Sequence, residues 1–275
     1  MTDLDFVQVG ELAKNIRQER EPAVAELVGT SLTLHYEDGT VTRVGFTSEH
    51  ELAWQALEGA DAGSAGTEAY AAFSPRDGIC LVDYISSTRP RTSVSMVLDT
   101  TTGSATVVVG TLPTAAEVEK GAFALARDGE ELTAVQARFQ RAAIDKPFAA
   151  AEHAHAPTDE MVGKRVRYVY GPTEAYEHIY LSDKLYTWQC LAGVEKGLAD
   201  TDRCHSFKLG DRLYLFVWRE RVVPTIGVVV VDWREMRSFG KLCGYESSDF
   251  GRIANARIAS VATLLNVTEH EPSTF

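Results

Sequence analysis

Trp54-Gln55-Ala56-Leu57-Glu58-Gly59 and, 134 residues later, Trp188-Gln189-Cys190-Leu191-Ala192-Gly193 are two versions of one segment, and their spacing decides how the chain divides. Outward from this pair the same offset keeps matching. Val28-Gly29 falls on Val162-Gly163, Ser48 on Ser182, Gly63 on Gly197, Thr67 on Thr201, Phe73 on Phe207 and Asp77 on Asp211. Leu81, Pro90, Val94, Val97, Ser104 and Gly110 fall on Leu215, Pro224, Val228, Val231, Ser238 and Gly244. That is 17 identities over 83 positions, in one register and without a gap. Unrelated segments rarely stay in register that long, so the chain reads as a gene duplication.

Each copy reads as short strands. In the second, Val166 to Tyr170, Ala175 to Leu181, Leu185 to Leu191, Arg203 to Phe207, Leu213 to Glu220 and Thr225 to Trp233 are rich in β-branched and aromatic residues. Gly171-Pro172, Ser182-Asp183 and Gly210-Asp211 punctuate them. Consecutive strands at this spacing, with few helices to cover them, predict an antiparallel up-and-down meander that closes on itself to remove its edges. Up to two further strands per copy are expected after Gly110 and Gly244. Helical patterns lie at the margins: Asp5 to Arg20 at the N-terminus, and Ala115 to Arg127 with Leu132 to Ala143 as an α-hairpin. The expected organisation is an N-terminal helix over 1–27, a first barrel over 28–112, a helical linker over 113–161 and a second barrel over 162–275. Within the linker, His153 and His155 sit in an Ala-rich stretch and are read as solvated rather than metal-binding.

The chain has 275 residues, 24% of them charged, and a net charge of −12. That balance opposes the phosphate backbone, which disfavours a nucleic-acid partner. No apolar run approaches the ~20 residues that cross a bilayer, so no membrane role is expected. Met1 to Val7 holds two Asp and no Lys or Arg, unlike a signal peptide, so the cytoplasm is the expected compartment. Cys80, Cys190, Cys204 and Cys243 form no zinc spacing and read as buried thiols.

Alternate strand residues share a face, and positions apolar in both copies mark the core. On this basis Val166, Tyr168 and Tyr170 face inward on the first strand, Tyr186 and Trp188 on the third, and Phe207 on the fourth. Extending the alternation exposes a contrast between the copies. Thr42, Val44 and Phe46 become Tyr176, His178 and Tyr180; Ala69 and Ala71 become Arg203 and His205; Cys80, Val82, Tyr84 and Ser86 become Tyr214, Phe216, Trp218 and Glu220. Burying such polar groups costs several kcal/mol each unless they are paired. A structural reading makes them mutually satisfied core groups, with Arg203 and Glu220 as an ion pair. The functional reading makes the second copy a ligand cavity, larger and more polar than a degenerate pocket in the first.

The residue types limit the chemistry. His178 and His205 suit general base and acid, with Tyr176 and Tyr180 as hydrogen-bond donors to a developing oxyanion. Arg203 suits a carboxylate clamp. Tyr168, Tyr186, Trp188, Phe207, Tyr214, Trp218 and Glu220 would line the substrate. There is no G-x-S-x-G elbow, Walker A loop, G-x-G-x-x-G or H-E-x-x-H. The expectation is cofactor-free and metal-free proton chemistry on a small aromatic or unsaturated metabolite: decarboxylation, hydration or dehydration, isomerisation or cyclisation. The rival is a non-catalytic carrier of a hydrophobic or pterin-like ligand. The sequence leaves the oligomeric state open, a homodimer included.

The tandem barrel, the Tyr176-Glu177-His178-Ile179-Tyr180-Leu181 strand and the Trp188-Gln189 segment resemble the MoaF family, from about Val28 to Gly244. The resemblance implies two tandem lipocalin-like (calycin) domains and, from the family's name, a link to molybdenum cofactor biosynthesis. No residue here specifies a pterin. The second copy is also similar in residue types, though not in motif, to phenolic acid decarboxylases, lipocalin-like barrels that use Tyr, Arg and Glu without a cofactor.

Overall fold

A computed structural model describes residues 6–16 and 25–269. Strands β1 (Ser31–Tyr36), β2 (Val41–Phe46), β3 (Glu51–Glu58), β4 (Ala65–Arg76), β5 (Ile79–Ile85), β6 (Thr92–Asp99), β7 (Ser104–Thr111) and β8 (Gln136–Ile144) form one closed antiparallel barrel in chain order. β1 closes it against β8, with Leu34 opposite Ile144 and Tyr36 opposite Ala142. After a two-residue strand, β9 (Ala156–Pro157), the second barrel runs through β10 (Lys164–Val169), β11 (Ala175–Tyr180), β12 (Leu185–Ala192), β13 (Ala199–Gly210), β14 (Leu213–Glu220), β15 (Thr225–Asp232), β16 (Arg237–Tyr245) and β17 (Ile253–Val267). β10 closes it against β17, with Tyr168 opposite Ala262. Two tandem eight-stranded antiparallel barrels with few helices are the expected fold.

The duplication holds at the level of register. Trp54 lies between Val44 and Gly66, and Trp188 between His178 and Asp200, each partner displaced by 134 residues. The expectation of an ungapped repeat needs one correction. Ile79 pairs with Asp99, whereas Leu213 pairs with Asp232, so the offset becomes 133 from β15 onward. The hairpin from Ile79 to Asp99 is one residue longer than the hairpin from Leu213 to Asp232. Asp99 Oδ1 accepts from the Thr101 and Thr102 amides, and Asp232 Oδ1 from Arg234 and Glu235, the same turn at the new offset. Val94 therefore corresponds to Gly227, not Val228. Val97 meets a valine at either offset, whereas Thr92 and Asp99 meet Thr225 and Asp232 only at 133; coincident matches of Val94, Ser104 and Gly110 at 134 hid the slip.

The segment expected to complete an α-hairpin at Leu132 to Ala143 is instead largely β8. Without it β1 and β7 would be unpaired edges, and that demand overrides helical spacing. Only α2 (Ala115–Val118) and α3 (Ala122–Arg127) are helical there, α2 beginning with a Thr114–Glu117 capping box. Chain order and compact units also differ. Residues 112–136 and the N-terminal helix α1 (Val9–Asn15) belong to the unit of the second barrel. Of the helix expected over Asp5 to Arg20, Phe6, Val7, Gln8 and Ile16 are not helical, and residues 5 and 17–20 lie outside the described residues. His153 and His155 are docked on the first barrel rather than solvated. His153 Nε2 lies 3.0 Å from the Ala105 carbonyl, and His155, 2% exposed, has Nδ1 2.9 Å from the Thr106 hydroxyl. Among the described residues no helix is long and apolar enough to cross a membrane, and no group of three or more His, Cys, Asp or Glu is arranged to hold a metal.

Candidate functional site

The interior of the second barrel is aromatic. Val166 and Tyr168 from β10 with Tyr170 just beyond its end, Tyr176 and Tyr180 from β11, Tyr186 and Trp188 from β12, and Tyr214, Phe216 and Trp218 from β14 join one buried cluster. The inward facing expected on these four strands is what the chain adopts, β14 included. His178 sits within this cluster. Its ring centroid lies 4.7 Å from Tyr168, 5.1 Å from Tyr186, 5.9 Å from Trp218, 6.1 Å from Phe216 and 6.2 Å from Tyr180. Nδ1 is buried with no hydrogen-bond partner among the described residues. Burial alone pushes the imidazole down to about 3, because no facing charge compensates the lost hydration. At neutral pH it is uncharged, a base or acceptor and not an acid.

Most other polar groups inside are satisfied in pairs. The Tyr168 and Tyr180 hydroxyls are 2.7 Å apart, Tyr176 donates to Glu195 at 3.0 Å, and Tyr214 donates to Glu160 at 2.7 Å. The Trp188 indole donates to Asp202 at 2.9 Å, and the Trp218 indole to Glu220 at 2.9 Å. Glu220 is held well above the usual carboxyl range by burial first, and then by the negative charge of Asp202. Burial likewise lifts Asp202 to about 7, with Asp200 adding to it and the Trp188 and Arg221 donors opposing. Each carboxylate's negative charge, in a low-dielectric surrounding, raises the other's affinity for a proton. The expected Arg203–Glu220 ion pair does not form: Arg203 lies 3.9 Å from Glu131.

The fourth strand is the main correction. Arg203, His205 and Phe207 face outward, and Asp202 and Cys204 face in. Phe73 and Phe207 had set the phase as residues apolar in both copies. Yet in the first barrel Tyr70 and Ala72, not Phe73, belong to the inner cluster. Phe73 is buried on the outer side, so apolarity misreported its direction. Arg203, His205 and Phe207 instead line an open outer groove of about 1040 Å³ with Glu131 and Lys184. The carboxylate clamp and the second histidine are thus absent from the interior.

Asp202, Glu195 and the placement of α1 were not anticipated. The signal for Asp202 lay in the duplication: Trp54 donates to Glu68 at 3.2 Å as Trp188 does to Asp202. The loop amides of Ser87 and Arg221, again 134 apart, donate to the same carboxylates at 2.8 and 3.1 Å. Glu68 and Asp202 escape a search for identities because they differ in length. α1 lies across the mouth of the second barrel. Val9, Leu12 and Ile16 line the cavity, Phe6 meets Trp188 edge-on at 6.1 Å, and the Val7 amide donates to Glu195 at 3.1 Å. Gly10 and Gly244 let the helix lie this close: a Cβ on Gly10 would be 2.6 Å from Glu246 Cα, and one on Gly244 2.5 Å from Val9 Cγ2.

With α1 in place the cavity beside His178, Glu195 and Glu220 measures about 40 Å³. The first barrel's measures about 220 Å³, so the expectation of a larger cavity in the second copy is wrong. The aromatic side chains that promised chemistry also occupy the space.

Both halves match known domains. The MoaF N-terminal domain matches residues 4–114 and the MoaF C-terminal domain residues 155–268. Protein MoaF of Klebsiella aerogenes is 39% identical over 270 residues, 97% of each chain. Among solved structures, a candidate β-lactamase from Burkholderia vietnamiensis aligns at 13% identity over 46% of this chain and 96% of its own, with a TM-score of 0.32. From the two domain matches and the full-length relative, the chain belongs to the MoaF family.

Proposed function

We propose that the second barrel is a gated chamber for cofactor-free proton transfer on a small, flat, aromatic or unsaturated molecule, of lyase or isomerase type. The observation that carries this reading is that one cavity is lined by both the His178 imidazole, whose buried Nδ1 has no partner among the described residues, and the Glu220 carboxyl, which burial pushes well above its usual range. Glu220 is the proton donor and His178 the acceptor, and the charge on Asp202 raises the affinity of Glu220 for its proton. Tyr170, Tyr176, Tyr186 and Trp218 supply the aromatic walls. Because Arg203 lies outside, the ligand is uncharged or carries its charge elsewhere than on a clamped carboxylate.

A volume of about 40 Å³ accommodates roughly one water molecule, whose share of liquid is about 30 Å³. The substrate therefore enters as α1 lifts, vacating the space now held by Val9, Leu12 and Ile16. A second reading, a non-catalytic carrier linked to molybdenum cofactor biosynthesis, draws support from the family's name and from the pairwise satisfaction of the interior hydroxyls. 2-Indanone, a flat enolisable ketone, separates the two in D2O. The enzyme reading expects deuterium to enter its α-carbon faster than in buffer, with the excess lost in Glu220→Gln and His178→Phe. Exchange at the buffer rate, with the Trp188 and Trp218 indole resonances still shifting on titration, favours the carrier.

A further inference from the structure

The first barrel shows the inverse arrangement. Thr42 stands where the second barrel has Tyr176, Val44 where it has His178, Tyr84 where it has Trp218 and Ser86 where it has Glu220. Smaller residues at matched inward positions leave the cavity of about 220 Å³, whose lining reaches Asp61 and Arg89 in the connections at one end. Val44 and Met96 form an apolar floor, and the Trp54 indole, held by Glu68, forms a flat wall. Tyr36, Tyr84 and Gln140 add polar groups and stay only half-buried although they point inward, a sign of space in front of them. Burial pushes the Tyr36 phenol up to about 12, so it remains a hydrogen-bond donor.

The two arginines at the rim differ. Arg89 is held by Asp61 at 2.8 Å, whereas Arg138 stands 3.9 Å from Asp38, beyond hydrogen-bond length. Arg138 thus presents an open fork to an incoming carboxylate. A cavity of about 150 Å³ holds benzene, so this one has room for a ring and its substituents.

We infer that the first barrel is a second ligand site, taking a small aromatic carboxylic acid whose ring lies between Met96 and Trp54 and whose carboxylate meets Arg138. The selectivity is distinct from that of the second barrel, whose interior contains no arginine among the described residues lining it.

The test is a titration of the full chain, labelled at methionine methyls and tryptophan indoles, with 4-hydroxybenzoate and with 4-methylphenol. Saturable shifts at Met96 and Trp54, with Trp188 and Trp218 unmoved, are expected for both probes. Arg138→Ala should weaken 4-hydroxybenzoate by about tenfold, a factor that corresponds to roughly 1.4 kcal/mol, and leave 4-methylphenol within about twofold. Val109→Phe, which fills the cavity from β7, should abolish both shifts. Silent Met96 and Trp54, shifts only in the second barrel, or equal loss of both probes in Arg138→Ala overturns the inference. Arg138 is exposed, so its variant decides the matter even where Val109→Phe fails to fold.

Discussion

His178 is the residue at which burial and charge collide. Its imidazole is uncharged in the folded chain and would titrate normally, near 6.5, in the unfolded one. With the folded value lowered to about 3, the unfolded state binds more protons between about pH 3 and 6.5. Stability therefore rises with pH across that window and falls on acidification. His178→Phe, tolerable because Val44 occupies the matched place, should lose this acid sensitivity, and urea melts at pH 4.5 and 7 will show it. An unchanged pH slope would mean that His178 gains a partner on protonation. Asp202 has the opposite sign. Its folded value near 7 lies above the unfolded one, so its contribution is present below about pH 4 and is lost as pH rises toward 7. Asp202→Asn should flatten that second slope while keeping an acceptor for the Trp188 indole. His178 was legible in the sequence as an inward polar residue, and Asp202 was not, because Asp202 is one position from the expected Arg203 and strand phase alone separates inside from outside.

At the scale of elements, α1 and the Trp–carboxylate staples determine what the second barrel can do. Only seven residues long, α1 has little intrinsic stability and owes its order to contacts with β16 and the barrel mouth. Gly10→Ala or Gly244→Ala adds one methyl at a contact with no room for it, and overpacking of this kind costs about 1–3 kcal/mol. The expected outcome is a lifted helix: amide exchange speeds up over residues 9–15, and 2-indanone reaches the interior more readily. Exchange that stays slow in both variants would show that the helix and β16 shift together and that α1 is a fixed plug. The helical period around α1 was visible in the sequence, and its target was not. β8 shows the converse, a segment with helix-like spacing drawn into a strand by two edges that needed a partner.

Across the whole molecule the barrels do not follow the linear order of the chain. The first is completed only by β8, which comes after residues 112–136, a segment belonging to the unit of the second barrel. A fragment spanning residues 25–112 holds seven of eight strands and exposes the edges of β1 and β7. It should be insoluble or show collapsed amide dispersion, whereas the full chain folds; a well-dispersed spectrum would mean that seven strands suffice. Arg219 illustrates the same dependence within the second unit. Its side chain is 6% exposed and forks onto Glu131 at 2.6 and 3.1 Å, so Glu131→Ala leaves a nearly buried charge unpaired, at a cost of about 3 kcal/mol or more in chemical denaturation.

The sequence by itself determined the duplication, the meander of strands and the barrel class, because β-periodicity and turn residues are local and a repeat doubles every local signal. It also determined which residues face inward on four of the five strands examined for facing, where apolar positions shared by both copies coincide with the interior. Only the tertiary structure decided the facing of β13, the one-residue slip after β14, the edge-filling role of β8 and the placement of α1 over the second barrel. Each of these depends on what lies across a strand or beyond a loop, and a residue's own chemistry does not report the volume in front of it. The same reason separates the two interiors. Aromatic and polar side chains marked the second barrel as chemically rich, and only packing revealed that they fill it and that the plainer first barrel keeps the larger space.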